Sequence, residues 1–176
     1  MNSSERTFPE LLTKLHELDF DYADGAGYDF EPYTEFLPES ETRDWMRIWS
    51  QDRADGSQFL VFGQDGTGGY AAIWRVRPAS ELLEQPVVFF GSEGAVGMVA
   101  RNFAEYLWLL AGGIGPMEAV EYPGSPPAPE HVSAPFRRFA EAHAPASRGA
   151  PAEIVPMAAP EFPDFPPEYG GDSAAP

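Results

Sequence analysis

Four short runs of β-branched and aromatic residues, 59–62, 70–76, 87–90 and 96–99, follow one another through connections that carry Gly, Asp, Ser or Pro. Runs of this length match strands, and connections this short favour return in the antiparallel sense. The pattern predicts an antiparallel meander, with Gly supplying the turns. Before and after it the hydrophobic period changes to that of a helix. Thr7-Phe8-Pro9-Glu10 fits a capping box, and Phe8, Leu11, Leu12, Leu15 and Leu18 then recur at helical spacing. A second helix follows Ser40, with Trp45, Ile48 and Trp49 forming its apolar face, and it stops before Asp55-Gly56. Asn102 opens a third helix whose apolar face is Phe103, Tyr106, Leu107 and Leu110 and whose end is marked by Gly112-Gly113. A last helix is predicted over 133–143, with Pro135 in its first turn and Phe136, Phe139 and Ala140 facing inward. Helices grouped on either side of a run of strands indicate an α+β fold, a central mostly antiparallel sheet flanked by helices.

Of the 19 prolines, eight fall at or after Pro145, where large aliphatic residues become scarce. That composition predicts a folded domain over 1–144 and a Pro/Ala-rich disordered tail over 145–176, whose aromatics are Phe162, Phe165 and Tyr169. The absence of Cys from all 176 residues excludes disulfide scaffolds, zinc–cysteine sites, iron–sulfur clusters and thiol catalysis. A net charge of -17, from 28 acidic against 11 basic residues, opposes nucleic-acid and anionic-membrane binding, both of which are driven by Lys and Arg. No basic segment leads into an apolar stretch near the first residues, and no apolar run reaches the roughly 20 residues of a membrane span. A cytoplasmic location is expected.

Residues able to do chemistry are sparse. The histidines are His16, His131 and His143, none is near a nucleophile elbow, and no two lie four apart as a helical zinc pair requires. Asp19, Asp21 and Asp24-Gly25 invite comparison with a calcium loop, but Ala23 stands fifth, Asp24 sixth and Phe30 twelfth, so the spacing fails. The glycine-dense segment 64–70 lacks Lys and leads into a strand, which fits a tight turn around Asp65 better than a phosphate cradle. Trp45 and Trp49 fit core positions better than a ligand platform. Neither a catalytic residue, a cofactor nor a metal is expected.

The exception to this blandness is the segment 17–41. It holds nine acidic residues and no basic one, interleaved with Phe20, Tyr22, Tyr28, Phe30, Tyr33 and Phe36. A solvated acidic face is one reading. The other is a surface that steers a basic protein partner, with Asp21, Asp24, Glu31 and Glu35 supplying charge and Tyr22 and Tyr28 the anchoring contacts.

The order of segments adds a resemblance. Phe62-Gly63-Gln64-Asp65-Gly66-Thr67-Gly68-Gly69 lies between strands, Gln85-Pro86-Val87-Val88-Phe89-Phe90-Gly91-Ser92-Glu93-Gly94 follows, and Val99-Ala100-Arg101-Asn102-Phe103 opens a helix that ends in Gly-Gly. Together with the capped first helix and the Trp-bearing second one, this resembles the SUKH superfamily, the Smi/Knr type, over roughly residues 11–121. The resemblance implies an α+β fold without enzymatic activity. It points to bacterial immunity proteins that bind and neutralise nuclease- or deaminase-like toxins, or to regulators such as those of fungal cell-wall assembly that act by binding other proteins. The family shares no catalytic residues, so none is carried over. A regulatory scaffold using the tail as a second binding site stays open beside the immunity reading. So does a small enzyme or ligand sensor using Trp45, Trp49 and a carboxylate.

Overall fold

In the computed structural model a two-residue strand β1 (Glu31–Pro32) precedes β2 (Phe59–Gln64), β3 (Tyr70–Trp74), β4 (Val87–Phe90) and β5 (Val96–Ala100). Each strand pairs antiparallel with its neighbour in sequence, so the sheet order is β1-β2-β3-β4-β5 and the expected meander is present. The structure describes residues 6–123, 132–163 and 165. Pro32 sits on the edge strand, where its missing N–H interrupts no ladder.

The strands are apolar on both faces because both are covered. Leu60, Phe62, Ala71, Ile73, Val87, Phe89 and Val99 point to one side. Phe59, Val61, Ala72, Trp74, Val88, Phe90 and Met98 point to the other. The first face is packed by α1 (Glu10–His16), α3 (Phe103–Ala111) and α5 (Ala134–His143), with Ala119 of α4 (Pro116–Glu121) joining the same core. The second face is packed by α2 (Glu39–Trp49), which brings Met46, Trp45 and Trp49. Fold class is therefore α+β, with six helices among the described residues, the sixth being α6 (Pro151–Glu161). None of them is long and apolar enough to cross a membrane.

Three local expectations are corrected. The first helix begins at Glu10 after Pro9, and no side chain caps it, so the box read at Thr7 does not form; Phe8 instead packs on Phe36 at 4.7 Å. Ile48, read as part of the apolar face of α2, is 82% exposed, because the helix rests on the sheet through Trp45, Met46 and Trp49. The third correction is the largest. Residues 145–163 and 165 fold onto the domain instead of forming a solvated tail; positions beyond 165, Tyr169 among them, lie outside the described residues. Pro151 starts α6 where its missing N–H costs nothing, and the Glu153 carboxylate accepts from the Ala150 N–H at 3.0 Å. Ile154, Val155 and Ala158 are buried at i, i+1 and i+4, and Phe165 is buried beyond the helix end. Tertiary burial holds this helix despite Pro156 and Pro160 inside it.

α3 is the firmest local structure. Asn102 Oδ1 accepts from Glu105 N–H at 2.9 Å, while the Glu105 carboxylate accepts from Arg101 N–H at 3.0 Å and pairs with the Arg101 guanidinium. Apart from Ala104, every residue of the helix is buried.

Candidate partner-binding surface

The acidic segment leaves α1 and turns sharply at Ala23–Gly25, a short helical turn in which Ala23, Asp24 and Gly25 have φ of 46°, 54° and 95°. Asp21 Oδ1 accepts from Ala23 N–H at 2.8 Å, and Tyr28 N–H returns to Asp21 O at 2.9 Å, closing the loop. At Gly27 a Cβ would lie 2.0 Å from Asp21 O, so only glycine fits the closure. Asp21, Asp24 and Tyr22 are exposed on this turn, Tyr22 by 58%. Glu31 and Glu35 are exposed as well, on β1 and just after it.

Tyr28 does not belong to this surface. It is 2% exposed, packs on Phe136 at 4.9 Å and donates its hydroxyl to Leu110 O at 2.6 Å, pinning the acidic loop to the end of α3. Burial pushes its hydroxyl up to about 12. Phe20, Phe30 and Phe36 face the same core, so most of the aromatics set among the acids are anchors of the loop and not of a partner.

The structure assembles another set of side chains beside Glu31. Glu31 Oε2 accepts from Gln64 Nε2 at 2.8 Å, and Gln64 Oε1 accepts from the Tyr33 hydroxyl at 2.7 Å. Partial burial first, then the nearby Tyr70 hydroxyl and the carboxylates of Glu31 and Glu41, push the Tyr33 hydroxyl up to about 12. The Trp45 ring meets Tyr70 edge-on at 4.7 Å and stacks with Trp49 at 5.7 Å, whose Nε1 donates to Gly91 O at 3.0 Å. Ile48 projects beside them into solvent. Three sequence-distant segments thus bring Glu31, Glu41, Tyr33, Tyr70, Trp45 and Ile48 to one region. The sequence signal for part of it is Glu41, Trp45 and Ile48 at i, i+4 and i+7 on α2.

The neighbouring turn is locked from within. Asp65 is 3% exposed, and its Oδ1 accepts from Thr67 N–H, Thr67 Oγ1 and Gly69 N–H between 2.8 and 2.9 Å. Gly68 takes φ +89°, which is the turn role read for this segment. Asp29 Oδ1 accepts from Gly66 N–H at 2.8 Å and ties the acidic loop to the same turn. Burial, with Asp29 and Glu121 nearby, raises the Glu118 carboxyl above the usual carboxylate range.

Of the histidines, His16 sits in the first-face core, ringed by Phe8, Phe20, Phe30 and Phe62 at 5.7–6.4 Å. Its Nδ1 lies 2.6 Å from Tyr33 O, which makes Nδ1 the protonated nitrogen, and burial lowers its pKa to about 4. His143 is exposed beside Phe139, and His131 lies outside the described residues. Among the described residues no three His, Asp or Glu side chains are placed to share a metal ion. Compared with known proteins, the chain matches no family, no curated protein and no solved structure.

Proposed function

We propose that this chain is a non-enzymatic protein-binding module, an immunity protein that neutralises a basic, nuclease- or deaminase-like toxin by covering its cleft. The observation that carries this reading is the convergence of Glu31 and Glu41 on the Tyr33–Tyr70–Trp45 group with Ile48 exposed beside it. Carboxylates steer and orient a cationic partner, while half-buried aromatics and an exposed aliphatic side chain supply desolvated contact once it arrives. The charged turn of Asp21, Tyr22 and Asp24, with Glu35, extends the same acidic segment, and the net charge of -17 gives the field its sign. The resemblance to the SUKH superfamily supplies the toxin class.

The test is capture of a partner from lysate at low salt, followed by measured binding of the purified partner to variants. The reading expects a basic protein bound one-to-one, with affinity falling by at least about tenfold between about 0.05 and 0.5 M salt. Glu31→Gln with Glu41→Gln should weaken binding more than Asp21→Asn with Asp24→Asn. Salt-independent binding, or binding indifferent to both pairs, would overturn it.

A further inference from the structure

The stretch after Pro160 is seated in a site of its own. Phe165 is 6% exposed and lies against Trp74 at 4.8 Å and Phe90 at 6.0 Å, and Phe162 meets Trp74 at 5.7 Å. The Arg77 guanidinium stands 5.1 Å over the Phe162 ring and pairs with Glu161, which also faces Arg101 at 3.9 Å. Arg77 is fixed in this posture by donating to the carbonyls of Glu84 and Arg101. In a chain with 28 acidic and 11 basic residues, the site seats an acidic-aromatic segment: Arg77 for the carboxylate, with Arg101, shared with Glu105, at its margin, and Trp74 with Phe90 for two rings three residues apart.

The two halves of the C-terminal segment are held differently. Ile154 and Val155 are integrated into the first-face core, at 4% and 2% exposure. Beyond them Pro156 and Pro160 remove backbone donors, and Glu161, Phe162 and Phe165 reach the second face through side-chain anchors, with Phe162 N–H donating to Ala159 O and Phe165 N–H to Phe162 O. A terminal segment that follows two helix prolines and is seated by side-chain anchors is the kind that opens locally while the domain stays folded.

We infer that the Arg77–Arg101–Trp74–Phe90 groove is a peptide-recognition site, occupied in cis by Glu161, Phe162 and Phe165, which accepts a partner segment of the same acidic-aromatic chemistry in exchange. It meets the aromatic group of the Glu31–Glu41 surface at Phe90, whose ring also contacts Trp45 and Trp49 at 5.9 and 5.1 Å, but takes a ligand of opposite charge. Its cis occupant sets the threshold, because an incoming segment competes with one already tethered at high effective concentration.

The probe is a synthetic peptide with the sequence of residues 156–167, titrated into the full chain and into the full chain carrying Phe162→Ala and Phe165→Ala. The emptied variant should bind it with a Kd of about 10–100 µM, and the unmodified chain at least about tenfold more weakly because its groove is filled. A peptide with glutamine in place of Glu161 should bind several-fold more weakly, and one with alanine at both phenylalanines should not bind. A folded variant that ignores the peptide, equal binding by both chains, or equal binding of all peptides overturns the inference. Should the variant not fold, hydrogen exchange on the unmodified chain decides: the Phe162 and Phe165 amides must exchange at least about tenfold faster than those of Ile154 and Val155, and equal rates overturn it.

Discussion

The first face of the sheet is closed by α1, α3 and α5 around side chains such as Leu12, Phe62, Tyr106 and Phe136, all at 0–1% exposure. The second is closed by α2 and by the end of α6, and there Trp45, Trp49, Tyr70 and Phe162 keep part of their surface in solvent. One layer is sealed by elements from most of the chain. The other is a patchwork of two elements more than a hundred residues apart, with aromatic edges at its seams. The difference teaches that the domain concentrates its buried apolar packing on one side, while the opposite side carries half-buried rings beside charges of both signs.

Breaking the sealed layer should cost most. Phe62→Ala removes a fully buried ring that meets Tyr106 at 5.7 Å, and a loss of about 3–5 kcal/mol in urea unfolding is expected. Phe165→Ala, on the patchwork layer, should cost about 1–2 kcal/mol because its segment relaxes by fraying. Equal losses would erase the comparison.

A titration localised to the sealed layer comes next. Above pH 6.5 the imidazole of His16 is neutral in both states; between 6.5 and about 4 the unfolded chain takes up a proton that the folded one refuses. Stability should therefore fall with acidification across that window by up to about 3 kcal/mol. Urea midpoints measured at several pH values for the wild type and for His16→Gln check this, since the variant lacks that part of the slope. Tyr28→Phe should cost about 1 kcal/mol by removing the buried hydroxyl bond to Leu110 O, which keeps Gly113 N–H as a donor, and should leave partner affinity unchanged. The smallest effect on stability belongs to Ile48→Ala, within about 0.5 kcal/mol, with a measurable loss of partner affinity as the sharper readout.

The positions of β2–β5 and the helices α2, α3 and α5 were legible because a change of period is a local signal that burial on both faces of a sheet does not hide. α6 was not. Its helix is written in Ala and Pro, and what fixes it is contact with Trp74, Phe90 and the first-face core, information that lies elsewhere in the chain. Tyr28 was assigned to the wrong side for a related reason: aromatics alternating with acids specify that some face inward without specifying which. The Glu31–Tyr33–Glu41–Tyr70 group joins residues from β1, α2 and β3, and no spacing in the sequence announces that juxtaposition. The turn around Asp65 was readable because the bonds to its Oδ1 all fall within five residues.

The sheet offers little backbone to a stranger. On its β1 side the carbonyls of Phe62 and Val61 already accept from Tyr33 N–H and Leu37 N–H, and β1 itself ends at a proline. On its β5 side α6 passes from one core to the other, with Ile154 and Val155 in the first and Ala158 in the second. The β5 margin is thus covered and the β1 margin is two residues ending at a proline, so a visiting chain meets little open ladder of amides. Edge-to-edge stacking of copies, the usual route by which small sheets aggregate, is thereby given little template.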